Sequence, residues 1–273
     1  MVLFPNCKIN IGLHITSKRE DGFHNIETVF YPVSWCDVLE IIEKAGNAGV
    51  DSLHTTGLKV PGNDADNICI KALQLLRNHF PSIPSVDIHL HKTIPSGAGL
   101  GGGSADGAFA LRLLNEKFSL GLSTEQLVKY AIQLGSDCPF FIENKPCYAT
   151  GRGEVMERVA LDLSGYGIML VNPGVHINTG WAFSKITPAA SSIPLTQLIH
   201  QPIQTWKTAI RNDFEKAVFQ QYPEIGNIKE TMYAHGALYS SMTGSGSTVY
   251  GFFPSGNVPS ITWSNNYAVK IIV

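Results

Sequence analysis

Charged residues are scarce in this chain of 273 residues, since lysine, arginine, aspartate and glutamate together make up 15% of it. Their charges nearly cancel and leave a formal net charge of −2 at pH 7. A chain without an excess of basic residues lacks the electrostatic field with which proteins capture nucleic acids or anionic membranes. We therefore expect neither partner, while a small basic pocket for one anionic ligand remains compatible with this balance.

Cysteine is too irregular here to indicate a disulfide framework or a metal site. The five cysteines form no CxxC pair and no cluster with histidine, and their number is odd. We expect free thiols in a reducing compartment and no metal site built from the protein's own side chains. The first residues, MVLFPNCKINIGLHI, lack a signal-peptide pattern, and no apolar run approaches the roughly 20 residues of a membrane span. These absences predict a cytoplasmic protein.

The periodicity of apolar residues predicts both strands and helices, and therefore an α+β fold. Alternating apolar residues predict strands within 7–15 and 85–95. Further strands are predicted within 29–42, 165–174 and 267–273, and after the second glycine turn of 240–253. Apolar residues at helical spacing predict one helix that begins at Asp66 or Asn67. They predict another that begins at Ser123, where Gln126 completes a capping box.

The chain is long enough for two ordinary domains, each with a core of its own. A stretch of weak pattern near residues 152–165 predicts the boundary between them. We expect a first domain over residues 1–155 and a second over residues 156–273. The second is expected to be mostly helical from about 175 to 240.

The most unusual stretch is a glycine-rich loop, PSGAGLGGGSADGA (residues 95–108), placed between a predicted strand and a predicted helix. Glycine loses more backbone freedom on folding than other residues, so this density indicates positive φ angles or a ligand that touches the main chain. The start of a helix offers free N–H groups and the positive end of the helix dipole to a phosphate. We expect the loop to hold a triphosphate, and Ser104 to cap the helix or contact phosphate or Mg²⁺. A tight turn that only permits close helix–sheet packing is the alternative.

Two other nucleotide-binding loops fit the same glycines less well. A Walker A loop needs a lysine after its last glycine, whereas Gly103 is followed by Ser104. The dinucleotide-binding pattern GxGxxG is matched by residues 97–102, but it also requires an acidic residue at the end of a second strand. Glu116 falls within the predicted helix instead, where it cannot reach a ribose.

Five segments together resemble the GHMP kinases, a family that includes galactokinase, homoserine kinase and mevalonate kinase. They follow one another through nearly the whole chain: CKINIGLHITSKREDGFHNIET, DADNICIKAL, PSGAGLGGGSADGA, GSDCPFF and MTGSGSTVYGFF. The resemblance implies a two-domain α+β fold with the active site in the cleft between the domains. It also implies a kinase that uses ATP and Mg²⁺ to phosphorylate an alcohol group of a small molecule, as a monomer or weak homodimer.

The resemblance assigns catalytic roles to Lys8 and Asp137. Asp137 is expected just past a helix end, in a loop held by Pro139, where it would act on the acceptor hydroxyl either as a general base that accepts its proton or as an electrostatic anchor. Lys8 would orient that carboxylate and stabilise negative charge on the acceptor oxygen. From the residues alone, Asp137 is as readily a local turn or cap, and Lys8 a solvated lysine on a strand.

The family's nucleotide-binding positions fall on the glycine loop and on one helix start. Asn67 is expected to face the adenine. The loop contributes the rest: Pro95, Ser96, Gly97, Ala98, Gly99, Leu100, Gly101, Gly102, Gly103, Ser104 and Ala105. A second glycine turn, residues 244–246, is expected to pack against this loop, with a plain hairpin turn as the alternative.

Phe23 and His24 suit a pyrimidine, because an aromatic face stacks on such a ring and a neighbouring polar side chain can bond its edge. The segment DGFHNIET, taken with GSDCPFF, indicates the branch of the family whose acceptor carries cytidine. Asn10, Thr179 and Phe183 would complete that acceptor site. The family usually has tyrosine where this chain has Phe23, and such a pair is otherwise an ordinary core phenylalanine and surface histidine.

Other functions stay open on the sequence. A kinase of the homoserine or mevalonate type would share the loop and use another acceptor. A non-catalytic sensor on the same fold would bind ATP and a metabolite without forming product. An RNA-binding module fits poorly with the net charge of −2.

Overall fold

A computed structural model describes residues 1–44, 50–191 and 193–273 of the chain. These residues form two compact units. Unit 1 consists of Met1–Cys7, Val33–Ser96 and Gly101–Lys145. Unit 2 consists of Lys8–Pro32, Gly97–Leu100 and Pro146–Val273. The division into domains 1–155 and 156–273 stays a prediction.

Strands and helices are mixed along the chain, as the α+β pattern predicts. The strands are β1 (Val2–Leu3), β2 (Asn6–Lys18), β3 (His24–Cys36), β4 (Val38–Glu43), β5 (Ser52–Gly57), β6 (Val86–Lys92), β7 (Cys147–Thr150), β8 (Val155–Arg158), β9 (Tyr166–Asn172), β10 (Tyr239–Met242), β11 (Val249–Pro254) and β12 (Ala268–Ile272). The helices are α1 (Ile68–Arg77), α2 (Gly102–Lys117), α3 (Thr124–Leu134), α4 (Cys138–Glu143), α5 (Thr179–Ser184), α6 (Leu195–Leu198), α7 (Ile203–Ala209), α8 (Glu215–Gln221) and α9 (Pro223–Ala234). A short 3₁₀ helix, Asp64–Asp66, precedes α1.

Unit 1 is built on a sheet with the strand order β1-β4-β6-β5, in which β5 is parallel to β6 and the other pairs are antiparallel. The glycine loop connects β6 to α2. Helix α1 packs closely on α2, because a Cβ at Gly107 would lie 2.7 Å from Ile68 Cγ1. The strand before the glycine loop and the helix after it therefore belong to unit 1, whereas Gly97–Leu100 of the loop belong to unit 2.

Unit 2 contains two sheets, with the strand orders β2-β3-β7-β8 and β10-β11-β9-β12. One apolar cluster joins the first sheet to the second and to the helices. Its buried members include Leu13 from β2, Val171 from β9, Phe214 beside α8 and Ile228 from α9. The strand predicted at 267–273 is confirmed as β12, which pairs antiparallel with β9.

The local signals for helix starts are confirmed. Asn67 is the N-cap of α1, and its side-chain oxygen accepts the N–H of Cys69. Ser123 and Gln126 form the predicted capping box of α3. Among the helices of the described residues, none combines the length and the apolar character that crossing a bilayer requires.

Candidate active site

The glycine loop has the backbone conformation that its composition predicts. Gly97, Gly99 and Gly101 have φ angles of 65°, 78° and 69°, a region that residues with a Cβ rarely adopt. Gly101 is the N-cap of α2, which runs for 16 residues from Gly102. The loop therefore ends at the start of a long helix, where backbone N–H groups and the helix dipole favour an anion.

Gly99 lies against the second glycine turn within unit 2. A Cβ at Gly99 would overlap the carbonyl oxygen of Thr243, and a Cβ at Gly244 would come within 3.1 Å of the Gly99 Cα. The Thr243 hydroxyl also lies 3.0 Å from the Gly99 carbonyl oxygen, to which it donates. The predicted packing of the second glycine turn against the loop is thus confirmed at this point.

Lys8 is buried on β2, with 4% of its surface exposed. Its ammonium nitrogen donates to Asn10 Oδ1 at 2.6 Å and to the Gly99 carbonyl oxygen at 3.3 Å, and lies 4.9 Å from the centroid of the Phe30 ring. Burial of an ammonium group is costly unless its N–H groups find oxygen partners. The alternative of a solvated strand lysine is therefore wrong, and Lys8 carries its charge against the glycine loop.

Asn10 connects Lys8 to a chain of buried polar groups in unit 2. Its backbone N–H donates to Thr243 Oγ1 at 3.0 Å, and its side-chain nitrogen donates to Thr28 Oγ1 at 3.0 Å. The Thr28 hydroxyl in turn donates to the Gly12 carbonyl oxygen at 2.5 Å. A satisfied network of this kind holds its members in one geometry.

Asp137 is half-buried and lies directly before α4, at the N-cap position. As expected, Asp137 lies in a short turn, here between α3 and α4. Pro139 does not belong to that turn but to the first turn of α4, where a proline's missing N–H costs no helical bond. The next residue, Cys138, contacts the Ser104 hydroxyl, and burial raises the pKa of its thiol to about 12. The beginnings of α2 and α4 therefore meet within unit 1.

Comparisons with known proteins agree with this geometry. Residues 67–145 match the model of the GHMP kinases N terminal domain, and residues 195–262 match that of the GHMP kinases C terminal domain. A 4-diphosphocytidyl-2-C-methyl-D-erythritol kinase of Bacteroides thetaiotaomicron is 49% identical over 267 residues, which is 97% of each chain. The chain belongs to the GHMP kinase family.

Solved structures of GHMP kinases have the same fold. The crystal structure of a 4-(cytidine 5'-diphospho)-2C-methyl-D-erythritol kinase superposes with a TM-score of 0.79 and 29% identity, covering 92% of this chain and 89% of that one. The mevalonate kinase of Methanococcus jannaschii superposes with a TM-score of 0.68, covering 94% and 92% of the two chains. At 12% identity, this second likeness shows the fold alone.

The predicted acceptor residues of this GHMP kinase meet in part within unit 2. The rings of His24 and Phe183 are stacked, with centroids 4.8 Å apart. Thr179 Oγ1 lies 3.1 Å from the hydroxyl of Ser245 in the second glycine turn. Phe23 is half exposed, and the Arg152 guanidinium lies 3.6 Å from its ring centroid. The N-terminal and C-terminal acceptor candidates thus converge on one unit of the kinase.

The residues predicted to bind ATP lie at the start of α1 and along the glycine loop. The side-chain oxygen of Asn67 accepts the N–H of Cys69 and so caps α1. Its side-chain N–H₂ group is the part that would contact an adenine. Gly103 is exposed, and a Cβ there would meet no atom within 4 Å. Open space above the first turn of α2 is what a bound phosphate would need.

Three residues that the structure places beside the candidate site residues were not identified from the sequence. Thr243 bonds the glycine loop, Arg152 stacks on Phe23, and Lys92 forms a buried ion cluster at the base of α2. Lys92 is separated by two residues from Pro95, where the loop begins, and Thr243 lies directly before the second turn. Proximity to a glycine motif is therefore the one signal that could have found them.

Proposed function

We propose that this GHMP kinase transfers the γ-phosphate of ATP to the C2 hydroxyl of 4-diphosphocytidyl-2-C-methyl-D-erythritol. The products would be the 2-phosphate and ADP, a step of the non-mevalonate route to isoprenoid precursors. The observation that carries the proposal is the 49% identity over 97% of the chain to a kinase named for this substrate. The stacked His24 and Phe183 rings support it, because a pyrimidine needs aromatic surface of this kind.

The glycine loop would receive the ATP triphosphate. Residues 95–105 place three positive-φ glycines before a helix of 16 residues, and the space beside Gly103 is open. The bond from Thr243 holds the Gly99 carbonyl oxygen against the protein, which reduces its repulsion of an incoming anion. Asn67 would face the adenine from the start of α1.

Asp137 and Lys8 would act on the acceptor hydroxyl. Asp137 would take up the hydroxyl proton as the oxygen attacks the γ-phosphorus, since it is half-buried at a position fixed by α4. Lys8 would stabilise the negative charge that develops on the oxygen, since its ammonium is buried and already fixed by Asn10. Phosphoryl transfer depends mostly on such positioning and charge stabilisation.

The cytidine of the acceptor would lie beside Phe23, His24 and Phe183, with Thr179 contributing a polar contact. Asn10 would serve the acceptor site beside Lys8, whose ammonium group it holds. Phe23 keeps a half-exposed ring face on which a pyrimidine can stack. It lacks the hydroxyl group of the tyrosine usual in the family. We therefore expect stacking there without the hydrogen bond of a phenol.

Mg²⁺ would accompany the ATP phosphates and neutralise charge that develops during transfer. The start of α2 fits this ion, because Ser104 is half-buried there and offers a hydroxyl oxygen, the kind of ligand that Mg²⁺ prefers. Ser104 would hold the ion from the first turn of α2.

An assay of ADP release with a panel of acceptors tests the proposed function. We expect ADP with ATP and 4-diphosphocytidyl-2-C-methyl-D-erythritol, and none above background with homoserine or mevalonate. The opposite pattern would assign the enzyme to another branch of the family. Tight binding of ATP and the cytidylyl compound without ADP would instead support a sensor.

We further infer a cytoplasmic enzyme that is a monomer or a weak homodimer. The five free thiols, at residues 7, 36, 69, 138 and 147, support the reducing compartment. Fractionation of cells that produce the enzyme, and light scattering of the purified chain, test these two points. Recovery from an oxidising compartment, or a stable higher oligomer, would contradict them.

A further inference from the structure

Three charged side chains of unit 1 form a buried cluster that joins the two ends of the glycine loop. Lys92, the last residue of β6, pairs with Asp37 and, at 2.6 Å, with Asp106 of α2. Their exposed fractions are 4%, 0% and 2%, respectively. We refer to Asp37, Lys92 and Asp106 as the loop clamp.

Asp37 holds the segment that enters the loop. One of its carboxylate oxygens accepts the backbone N–H groups of Thr93 at 2.6 Å and Ile94 at 2.9 Å. These are the last two residues before Pro95, where the glycine loop begins. The entry of the loop is therefore fixed by three donors to a single buried carboxylate, including Lys92.

Asp106 holds the helix that leaves the loop. It lies in the second turn of α2, and its bond to Lys92 closes a segment of 14 residues. The start of α2 rests on the same cluster, since a Cβ at Gly102 would lie 2.9 Å from Ile94 Cγ2 and 3.6 Å from Lys92 Nζ. Entry and exit of the loop are thus connected through one ammonium group.

A buried ion cluster is a poor device for stability, because the cost of removing charges from water offsets most of the attraction between them. The cluster does, however, hold its three side chains in few relative positions, because each of its hydrogen bonds depends on the others. A loop that binds phosphate through backbone N–H groups needs this property. A misplacement of about 1 Å is enough to cost a site most of its effect.

We propose that Asp37, Lys92 and Asp106 are positioning residues for ATP. They set the separation between Ile94 and the first turn of α2, and so the arrangement of the N–H groups that receive the triphosphate. The inference rests on the proposed function only in taking ATP as the ligand of the loop. It assigns the clamp to ATP binding rather than to acceptor binding.

The test compares Asp106→Asn and Lys92→Met with a control, Asp51→Asn. Asp51 is also a paired carboxylate of unit 1: it pairs with Arg77 and accepts the N–H of Val86 at 3.0 Å, at the opposite end of β6. The readouts are the Kd of ATP by calorimetry without acceptor, the KM of the cytidylyl acceptor and the Tm. A purely structural role would change the Tm alone.

We expect the Kd of ATP to rise about 10-fold in Asp106→Asn and more in Lys92→Met, with the KM of the acceptor within about 2-fold of wild type. Asp51→Asn should lower the Tm and leave the Kd of ATP unchanged. ATP binding of wild-type strength in a folded Asp106→Asn variant would overturn the proposal, as would equal weakening in Asp51→Asn. Asp106→Asn preserves side-chain size, so it provides the answer if Lys92→Met does not fold.

A different result would refute the proposed function. A wild-type protein that binds ATP but releases no ADP with the cytidylyl acceptor would refute the proposed reaction. The comparison of ATP binding between wild type and the clamp variants would still decide the role of the clamp.

Discussion

Lys8 has surroundings that are unusual for a lysine on a strand. A lysine on a strand normally extends into water, whereas this one is buried and donates to Asn10 and to the glycine loop. These two bonds fix the position of the ammonium group beside the glycine loop. The arrangement is suited to stabilising an anion that forms during a reaction.

Replacement of Lys8 by methionine should therefore affect turnover more than binding. We expect Lys8→Met to lower kcat about 100-fold, while the Kd of ATP changes little. Lys18→Met, at the exposed end of the same strand, is the matched control and should behave like wild type. Equal kcat values for the two variants, measured by ADP release, would remove Lys8 from the mechanism.

Asp137 combines partial burial with a position held by the start of α4. Asp137→Asn keeps the shape of the side chain and removes its ability to take up a proton. We expect kcat to fall about 1000-fold with ATP binding intact, the range expected for loss of a general base. Normal turnover in this variant would contradict the mechanism, and Asp162→Asn, an exposed aspartate of unit 2, serves as control.

At the scale of elements, the glycine loop contains glycines that are there for two different reasons, the fold and the ligand. Gly99 has a positive φ and touches Thr243, so its role is to permit the fold. Gly103 is helical and open, so the fold alone does not require a glycine there. The space beside Gly103 is explained if a phosphate occupies it.

Gly103→Ala tests this explanation. Alanine is favoured over glycine in a helix by about 1 kcal/mol, so the Tm should stay the same or rise. The added methyl group should nevertheless weaken ATP binding by about 10-fold, because it occupies space required by the triphosphate. An unchanged Kd of ATP in calorimetry would show that the ligand does not approach this turn.

Local elements could be predicted from the sequence because their causes are local. The helix starts at Asn67 and Ser123 follow from side chains that bond N–H groups two or three residues away. The start of α4 escaped prediction, since Pro139 is equally typical of a loop and of a first helical turn. Of the candidate site, the glycine loop followed from composition, while Lys8 and Asp137 needed the family resemblance.

The loop clamp could not be predicted, because its causes are distant along the chain. Lys92 is separated from Asp37 by 55 positions and from Asp106 by 14. No periodicity or spacing rule connects such residues. Only the pairing of β4 with β6, and the return of the chain into α2, brings them together.

For the whole molecule, the clamp predicts how stability depends on pH. Burial of Asp106 raises the pKa of its carboxyl from 3.8 to about 7; Asp37 adds to this rise and Lys92 opposes it. Between these pH values the folded chain holds a proton that the unfolded chain has lost. Stability contributed by this group is therefore present at low pH and is lost as the pH rises through about 7.

Asp106→Asn removes that titrating group. The Tm of wild type, measured against that of the variant, should therefore fall between about pH 5 and pH 8. Differential scanning calorimetry of both proteins in matched buffers gives the comparison. Parallel Tm curves over this range would contradict the raised pKa of Asp106.

Phosphorus NMR of the reaction mixture tests most directly where the phosphate goes. In a 2-C-methyl compound the C2 carbon carries no hydrogen, so a phosphate ester at C2 lacks the three-bond coupling to hydrogen that an ester at a CH or CH₂ carbon shows. We predict that incubation of the enzyme with ATP, Mg²⁺ and 4-diphosphocytidyl-2-C-methyl-D-erythritol produces ADP and one new monoester signal without that coupling. A new monoester signal split by hydrogen, or ADP formed without any monoester, would contradict the account.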